Sequence, residues 1–205
     1  VSLRQRDTEA LLREACIKEG VSIHWDKALE NLSFDGNKVR MLAGGTEYHA
    51  SYIVGSDGSG STVRKAIGVQ LVGDFSPGFH IVVDFLAEQH PFQDKRTFYY
   101  KHPNLGGRNV LVIPFAGGWQ VDLQCGLDDD VEQMSSEEGV KSWLTNIIDK
   151  AFLKNLNWVS TYRFNQVVAN SFCDKNRRVL LVGDAAHLFP PYGARGLNSG
   201  IADAD

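Results

Sequence analysis

The sequence predicts an α/β (α+β) fold, with mixed helix-and-strand segments near both ends and an antiparallel sheet between them. Over residues 1–70, helix, strand, hairpin, strand and short helix patterns follow one another, which is typical of an α/β domain. The middle of the chain instead holds strand-like segments separated by glycine turns, the pattern of an antiparallel sheet. Near the end, residues 178–182 form a continuous apolar run of the kind that is buried in a parallel sheet.

The first region is predicted to open with a helix for which Asp7 is the N-cap and which ends at Glu19, before Gly20. Leu11 and Leu12 lie on its predicted apolar face. The elements expected after it are a strand at 21–25, a hairpin of 28–34 and 38–42, strands at 46–50 and 51–56, and a helix at 62–67 capped by Ser61.

The middle region is predicted to be a second lobe built on an antiparallel sheet. Its strands are expected at 80–86, 96–100, 109–115 and 119–126. Residues 135–150 are predicted to form one helix that covers the sheet. The apolar residues of this helix share one face: Val140, Trp143, Leu144 and Ile147.

Composition excludes several classes of protein. The 205 residues suffice to bury one large core or two small ones. With 43% hydrophobic and 22% charged residues, the chain is ordinary for a soluble globular protein. A formal net charge of −4 argues against a nucleic-acid binder, which normally carries a basic face. No apolar run approaches the roughly 20 residues that a membrane span needs.

The cysteines and histidines argue against a disulfide framework and against a zinc site. Cys16, Cys125 and Cys173 lie far apart, which favours a reducing, cytoplasmic location, and we expect all three to be buried thiols. The six histidines show no ligand spacing, so no metal is expected. The sequence opens on Val1 without an initiator Met or a signal peptide and stops in an incipient helix. We therefore expect an internal piece of a longer protein.

The most informative segment covers residues 179–200, where a buried strand leads into Gly183 and Asp184. Open α/β sheets bind ligands at the carboxyl ends of their strands. Glycine lets a ligand approach the backbone closely, and a carboxylate accepts hydrogen bonds from sugar hydroxyl groups. Ala185 and Ala186 leave room beside them. These features predict a ligand at this turn.

The second half of that segment predicts a helix N-terminus next to the same ligand. Pro190-Pro191 stiffens the chain, and Gly193 and Gly196 precede a helix expected from about Leu197. The first amides of a helix are unpaired and carry the positive end of its dipole. Such an end stabilises an anion.

A second strand end lies within residues 52–64, at Asp57-Gly58. Ser61 is predicted to cap the helix that follows, and Arg64 adds a positive charge. The N-terminus of that helix is a candidate phosphate site. Taken alone, the same residues also fit a plain strand, turn and capped helix.

Together the two segments resemble the motifs of the group A flavoprotein monooxygenases, a family of aromatic-ring hydroxylases. That family includes the p-hydroxybenzoate, phenol and 3-hydroxyphenylpropionate hydroxylases. Residues 52–64 resemble its DG motif, which is associated with FAD pyrophosphate and NAD(P)H. The residues that resemble its GD motif are Gly183-Asp184-Ala185-Ala186-His187, Pro190-Pro191, Gly193 and Gly196-Leu197-Asn198.

The resemblance implies a flavin site on the GD segment. Asp184 is expected to bond the ribityl or ribose part of FAD, and Pro191 is expected to lie beside the reacting face of the isoalloxazine as the catalytic residue. The backbone that contacts the cofactor is expected to come from five residues: Gly183, Gly193, Gly196, Leu197 and Asn198. The helix dipole would then stabilise the electron-rich edge of a reduced flavin.

The resemblance also implies cofactor contacts from Asp57, Gly58 and Arg64 in the DG segment. A third likeness covers the first helix, where Gln5 corresponds to a flavin-contacting glutamine of the family. The N-terminal strand–Gly-x-Gly-x-x-Gly–helix that holds the ADP half of FAD in the family has no counterpart in this sequence.

The resemblance implies that residues 1–70 and 160–205 are parts of a Rossmann-like FAD-binding domain and that 71–159 are the inserted substrate-binding lobe. The expected activity uses FAD and NAD(P)H to insert one atom of O₂ into a small aromatic, phenolic substrate through a flavin C4a-hydroperoxide. Two alternatives stay open: a non-catalytic FAD-binding fragment, and a related flavin epoxidase or oxidoreductase.

Several residues near these segments are given no catalytic role. His187 is predicted to be a packed, hydrogen-bonded residue. The aromatic residues Tyr99, Tyr100, His102 and Tyr192 fit either the core or a substrate pocket.

Overall fold

The computed structural model of this chain describes residues 4–36, 38–75, 78–86, 95–189 and 195–205. The chain divides into two compact units. One comprises Ile23–Ser76 and Phe164–Asp205 and is called here the motif unit. The other comprises Val1–Ser22 and Pro77–Arg163 and is called the sheet unit. The division expected from sequence put 1–70 with 160–205, so the first 22 residues fall in the other unit.

Helices and strands are numbered in chain order. The helices are α1 (Gln5–Lys18), α2 (Thr62–Ala66), α3 (Val131–Ser135), α4 (Glu137–Leu144) and α5 (Arg195–Ala204). The strands are β1 (Leu29–Asp35), β2 (Lys38–Ala43), β3 (Thr46–Ala50), β4 (Ile53–Gly55), β5 (Leu71–Phe75), β6 (His80–Leu86), β7 (Thr97–His102), β8 (Arg108–Phe115), β9 (Gly118–Gln124), β10 (Leu156–Tyr162), β11 (Asn165–Ala169), β12 (Val179–Leu181) and β13 (His187–Leu188). This mixture confirms the predicted α/β (α+β) class.

Helix α1 begins three residues earlier than predicted. Arg4 is its N-cap, and Asp7 lies in the first turn, where its carboxylate accepts a hydrogen bond from Arg4 Nε at 3.1 Å. An acidic residue in the first turn suits the positive end of the helix dipole. The predicted apolar face is not buried among the described residues, since Leu11 and Leu12 are 60% and 62% exposed.

The strand predicted at 21–25 is not formed. The segment has no regular secondary structure, and Val21 and Trp25 are exposed. An extended apolar run becomes a strand only where a neighbouring strand accepts its hydrogen bonds, and none of the described residues does so here.

The motif unit contains three small sheets. Strands β1, β2 and β3 form an antiparallel meander whose hairpin turns at Asp35-Gly36 as predicted. Strands β13, β11 and β5 form a second antiparallel sheet, and β12 and β4 form a parallel pair. One apolar core lies beneath them: Val39, Ile53, Val63, Val69, Ala169, Val179, Leu181 and Ala186.

The sheet unit is built on one antiparallel sheet with the strand order β10-β6-β9-β8-β7. The four strands predicted in this region are confirmed within a few residues, and β10 was not predicted. Alternate residues of β6, β8 and β9 face the helices, with Phe85 stacked on Trp119 at a ring-centroid distance of 4.4 Å. Val140, Trp143 and Leu144 of α4 are buried against this face, as their spacing predicted.

The opposite face of that sheet carries a buried polar group. Asp122 lies 2.7 Å from His80 Nδ1 and accepts a hydrogen bond from the hydroxyl of Tyr162 at 2.7 Å. Asp84 on the same face accepts a bond from Gln120 at 2.8 Å. Burial raises the pKa of Asp84 above its ordinary value, and the bond from Gln120 opposes that rise.

The single helix predicted at 135–150 is two helices, α3 and α4, separated at Ser136. Ser136 has an extended backbone and serves as both C-cap of α3 and N-cap of α4, with its hydroxyl accepting from the amide of Gly139 at 3.1 Å. A serine that caps the second helix ends the first, because its extended backbone cannot continue the hydrogen-bond ladder.

The prediction that all three cysteines are buried is wrong for two of them. Cys125 is buried, and burial, aided by the nearby Asp129 charge, raises the pKa of its thiol to about 11. Cys16 is exposed on α1, and Cys173 is half-buried. Within the part of the chain that the structure describes, no helix is long and apolar enough to cross a bilayer.

Candidate functional site

The parallel pairing of β4 with β12 brings the two predicted motifs to one edge of the motif unit. Ile53 pairs with Val179 and Gly55 with Leu181, and the amide of Val182 donates to the carbonyl of Gly55 at 3.1 Å. The carboxyl ends of parallel strands meet at the same edge. The turns that follow the two strands therefore lie side by side. They are called here the DG turn (Asp57-Gly58) and the GD turn (Gly183-Asp184).

In the DG turn, the carboxylate of Asp57 holds the start of α2. It accepts hydrogen bonds from the hydroxyl of Ser61 and from the amides of Thr62 and Val63, the last two at 2.7 and 3.0 Å. Burial alone would raise the pKa of Asp57, but these hydrogen bonds bring it below its ordinary value of 3.8. The structure thus gives the first amides of α2 a protein carboxylate as partner, where the sequence suggested a phosphate.

Arg64 ties the DG turn to the GD turn. Its side chain is buried, with the residue only 6% exposed. The guanidinium donates to the carbonyl of Ala185 at 2.9 Å and to the carbonyl of Ser59 at 2.8 Å. The positive charge expected to face a cofactor is therefore engaged with two backbone carbonyls of the protein.

The GD turn leaves one carboxylate open. Gly183 has a left-handed backbone with φ of +59°, a conformation that favours glycine. Ala185 and Ala186 are fully buried, so their small size serves packing and not an open space. Asp184 is exposed, and no hydrogen bond to it occurs among the described residues. Its oxygens are available to accept hydrogen bonds from a ligand.

Helix α5 begins at Arg195, two residues before the predicted start. Gly196, Leu197 and Asn198 form its first turn, whose amides point out of the N-terminus as in any α-helix. The side chain of Leu197 is 66% exposed, so the first turn is not packed shut within the motif unit. The helix also lies close to the GD turn, because a Cβ added at Gly200 would sit 3.4 Å from the Cα of Gly183.

The structure does not place the other predicted site residues of the flavin beside the GD turn. Pro191 and Gly193 fall outside the described residues, so their predicted roles stay predictions. Gln5 is in the first turn of α1, in the sheet unit, where its side-chain amide donates to Glu9 one turn later at 2.7 Å. Gly58 follows Asp57 with φ of +79°.

Sequence reasoning missed Asp203, whereas the prediction that His187 is a packed, hydrogen-bonded residue is confirmed. One carboxylate oxygen of Asp203 lies 2.7 Å from the amide nitrogen of Gly183 and 2.7 Å from Nε2 of His187. The signal was present in the spacing, since positions 196, 200 and 203 recur at i, i+4 and i+7 on one helix face. That face holds two glycines and one carboxylate, a pattern of close approach.

An open cleft of about 540 Å³ adjoins the two motifs within the motif unit. Its lining residues include Ser59, Gly60, Arg64, Lys65 and Leu188. The DG segment contributes Ser59 and the basic Arg64 and Lys65, and much of the remaining lining is apolar: Val69, Leu71, Phe75 and Leu188. A mixed lining of this kind suits a ligand with both polar and apolar parts.

In the sheet unit, the aromatic residues of β7 divide between core and surface. Tyr99 packs against the apolar core, whereas Tyr100 is exposed. The His102 ring contacts the Tyr99 ring edge-on at a centroid distance of 5.3 Å. Tyr192 falls outside the described residues.

Comparison with known proteins gives a family match over the whole chain. The FAD_binding_3 model, the FAD binding domain, matches residues 1–205. Rifampicin monooxygenase of Streptomyces venezuelae is 32% identical, covering 96% of this chain and 41% of that protein. The 3-hydroxybenzoate 4-monooxygenase of Comamonas testosteroni is 32% identical over 76% of this chain and 27% of its own length.

A solved structure shows the same fold. A ternary complex of aklavinone-11 hydroxylase with FAD and aklavinone superposes with a TM-score of 0.83 at 24% identity, over 98% of this chain and 39% of that one. The chain spans well under half the length of these relatives.

Proposed function

This chain belongs to the FAD binding domain family, and the proteins similar to it include FAD-dependent aromatic-ring monooxygenases. From that premise we propose that it is part of an enzyme that binds FAD at the edge formed by the GD turn and helix α5. The whole enzyme uses NAD(P)H and O₂ to place one oxygen atom on a small aromatic, phenolic substrate.

One observation carries the proposal: the open carboxylate of Asp184 adjoins Gly183, the residue on which helix α5 packs. A Cβ added at Gly200 of α5 would lie 3.4 Å from the Cα of Gly183, and Asp203 of the same helix accepts a hydrogen bond from the Gly183 amide. A hydroxyl-bearing chain needs acceptors, and an electron-rich ring edge needs donors or a positive dipole. The structure supplies both, so the residues present fit a flavin.

The proposed roles follow from these contacts. Asp184 accepts hydrogen bonds from the ribityl or ribose hydroxyls, because its oxygens have no partner among the described residues. The amides of Gly196, Leu197 and Asn198 donate to the pyrimidine edge of the ring. Gly183 keeps the turn tight enough for the ring system to approach the backbone.

The DG segment plays a supporting part in this proposal. Asp57 and Arg64 shape the turn, since both are engaged in hydrogen bonds within the protein. Gly58 and the adjoining cleft then leave space for the phosphates of FAD or for NAD(P)H, with Lys65 supplying positive charge. Gly193 and the catalytic Pro191 are proposed to contact the flavin as the family resemblance implies, and the cofactor contact of Gln5 stays a prediction.

When bound, FAD supplies the electron transfer from NAD(P)H and the activation of O₂ at its C4a carbon. The protein contributes orientation, exclusion of water and an electrostatic setting that favours the reduced ring. None of these roles needs a nucleophilic side chain.

The sheet unit is proposed to be the substrate lobe. Its face opposite the helices carries Asp84, Gln120 and the Asp122 group, polar side chains that hydrogen-bond one another on a sheet whose other face is apolar. A phenolic substrate combines an apolar ring with a polar hydroxyl, and a lobe with both apolar and polar surfaces suits both parts.

The test uses the intact enzyme that contains this chain. We expect the purified protein to carry flavin absorbance and to oxidise NAD(P)H faster when a phenolic substrate is added. Absence of any bound flavin would overturn the proposal. Bound flavin without NAD(P)H oxidation would instead support the alternative of a non-catalytic FAD-binding protein, and an epoxidised product would support the related epoxidases.

A further inference from the structure

Asp203 connects helix α5 to two residues of the GD segment. Its Oδ2 accepts from the amide of Gly183 at 2.7 Å and lies 2.7 Å from His187 Nε2. The His187 side chain is 6% exposed and that of Asp203 is 23% exposed. A carboxylate that accepts hydrogen bonds from an amide and an imidazole N–H makes charge-assisted bonds, which are short and strong, although the bond to the Gly183 amide is exposed to solvent.

The His187 ring is held in place by several neighbouring groups, so its hydrogen bond can fix the position of the Asp203 carboxylate. The backbone of His187 pairs with Val168 in the β11–β13 ladder. The rings of Phe172 and Phe189 lie at centroid distances of 6.3 and 4.9 Å from its ring. Nδ1 is buried and has no partner among the described residues, so Nε2 makes the hydrogen bond that orients the ring.

We propose that Asp203 is a positioning residue that fixes α5 on the GD turn and so sets where the first-turn amides of α5 lie relative to Asp184. This inference rests on the proposed function. With a rise of about 1.5 Å per residue, those amides lie roughly 10 Å from Asp203, so a tilt of about 10° displaces them by about 2 Å. A displacement of that size is enough to lose a hydrogen bond to a ligand.

The close approach of Gly200 to Gly183 also shows why α5 needs Asp203 to fix its orientation. Gly200 approaches Gly183 without a side chain between them, so shape alone does not fix the rotation of the helix. The two hydrogen bonds of Asp203 fix the rotation of α5 about its axis, which the glycine contact does not. His187 acts through Asp203 and has no direct contact with the cofactor in this proposal.

The test compares Asp203→Asn with Asp128→Asn in the intact enzyme. Asp128 is exposed in a turn, and its side chain has no hydrogen bond among the described residues, so its variant makes the same charge change without the contacts. We expect Asp203→Asn to weaken FAD binding at least tenfold, to make the midpoint potential of the bound flavin more negative, and to speed hydrogen exchange of the Gly183 amide in the apo-enzyme. Asp128→Asn should match the wild type in all three.

A second pair of variants keeps the inference testable if Asp203→Asn does not fold. His187→Gln retains an N–H donor near the place of Nε2 and should bind FAD as the wild type does, whereas His187→Phe should bind at least tenfold more weakly. Equal affinity and potential in the Asp203 variant and the wild type, or in the two His187 variants, would overturn the positioning role. Failure of the wild-type enzyme itself to bind FAD would overturn the proposed function instead.

Discussion

The guanidinium of Arg64 donates to the carbonyl oxygen of Ala185 at 2.9 Å and so joins two segments that are 121 positions apart in the sequence. A second bond from the same group reaches Ser59. Because Arg64 and Ala185 are both buried, the Ala185 carbonyl has this cation as its partner in place of water. The geometry of the proposed cofactor edge depends on this link.

Replacing Arg64 with Met should therefore destabilise the enzyme. The variant leaves the carbonyls of Ser59 and Ala185 without their donor, at a cost of about 2–4 kcal/mol. The free energy of unfolding in urea measures this. The neighbouring Lys65 is exposed, so Lys65→Met should change the same quantity by less than about 0.5 kcal/mol. Equal effects of the two substitutions would show that the link does not stabilise the fold.

Gly55 should not tolerate a methyl group. A Cβ at this position would lie 2.7 Å from Cγ1 and 2.8 Å from Cβ of Val63, so α2 packs directly on strand β4. Overpacking of this kind costs about 1–3 kcal/mol, and Gly55→Ala should lower the denaturation midpoint accordingly.

Gly60→Ala is the matched control for that substitution. No atom lies within 4 Å of its added Cβ, and its φ lies outside the left-handed region. Its midpoint should stay close to that of the wild type. A wild-type midpoint for Gly55→Ala would contradict the packing of α2 on β4.

Asp57 should contribute stability that depends on pH. Burial raises the pKa of Asp57, but the hydrogen bonds from Ser61, Val63 and Thr62 together lower it by more than burial raises it. The pKa in the folded state therefore lies below 3.8. A group with a depressed folded pKa stabilises the fold above its unfolded pKa and loses that contribution as the pH falls through the folded pKa. The stability difference between wild type and Asp57→Asn should therefore be full at pH 7 and should shrink below about pH 4.

That difference is measured by urea unfolding of both proteins at pH 7, 5, 4 and 3. Taking a difference is necessary because the pKa values of Asp129 and Asp174 are also lowered in the fold. A difference that does not change with pH would contradict the account of Asp57.

Local sequence chemistry predicted those elements that depend on nearby residues. The Asp35-Gly36 hairpin, the Ser61 cap and the α4 face of Val140, Trp143 and Leu144 all form, because turn residues, capping hydroxyls and helical periodicity act over a few positions. The two motifs lie at one edge because β4 pairs with β12 in parallel.

Elements that depend on distant partners were not predicted. Strand β5 contains Gly73 with φ of +132°, which weakens its strand pattern, and it forms because β11 pairs with it. Residues 21–25 show the reverse case. Their sequence has a strand-like pattern, but no strand among the described residues pairs with them. The bonds of Arg64 and Asp203 likewise join separate segments, so composition and spacing alone did not reveal them.

The central claim is that FAD binds beside the open carboxylate of Asp184, and an FAD titration of the apo-enzyme tests it most directly. We expect the wild type and the exposed-loop control Asp128→Asn to bind alike. Asp184→Ala should bind roughly tenfold to a hundredfold more weakly, since a charge-assisted hydrogen bond contributes about 1.5–3 kcal/mol. An Asp184→Ala enzyme that binds FAD as tightly as the wild type would contradict the account.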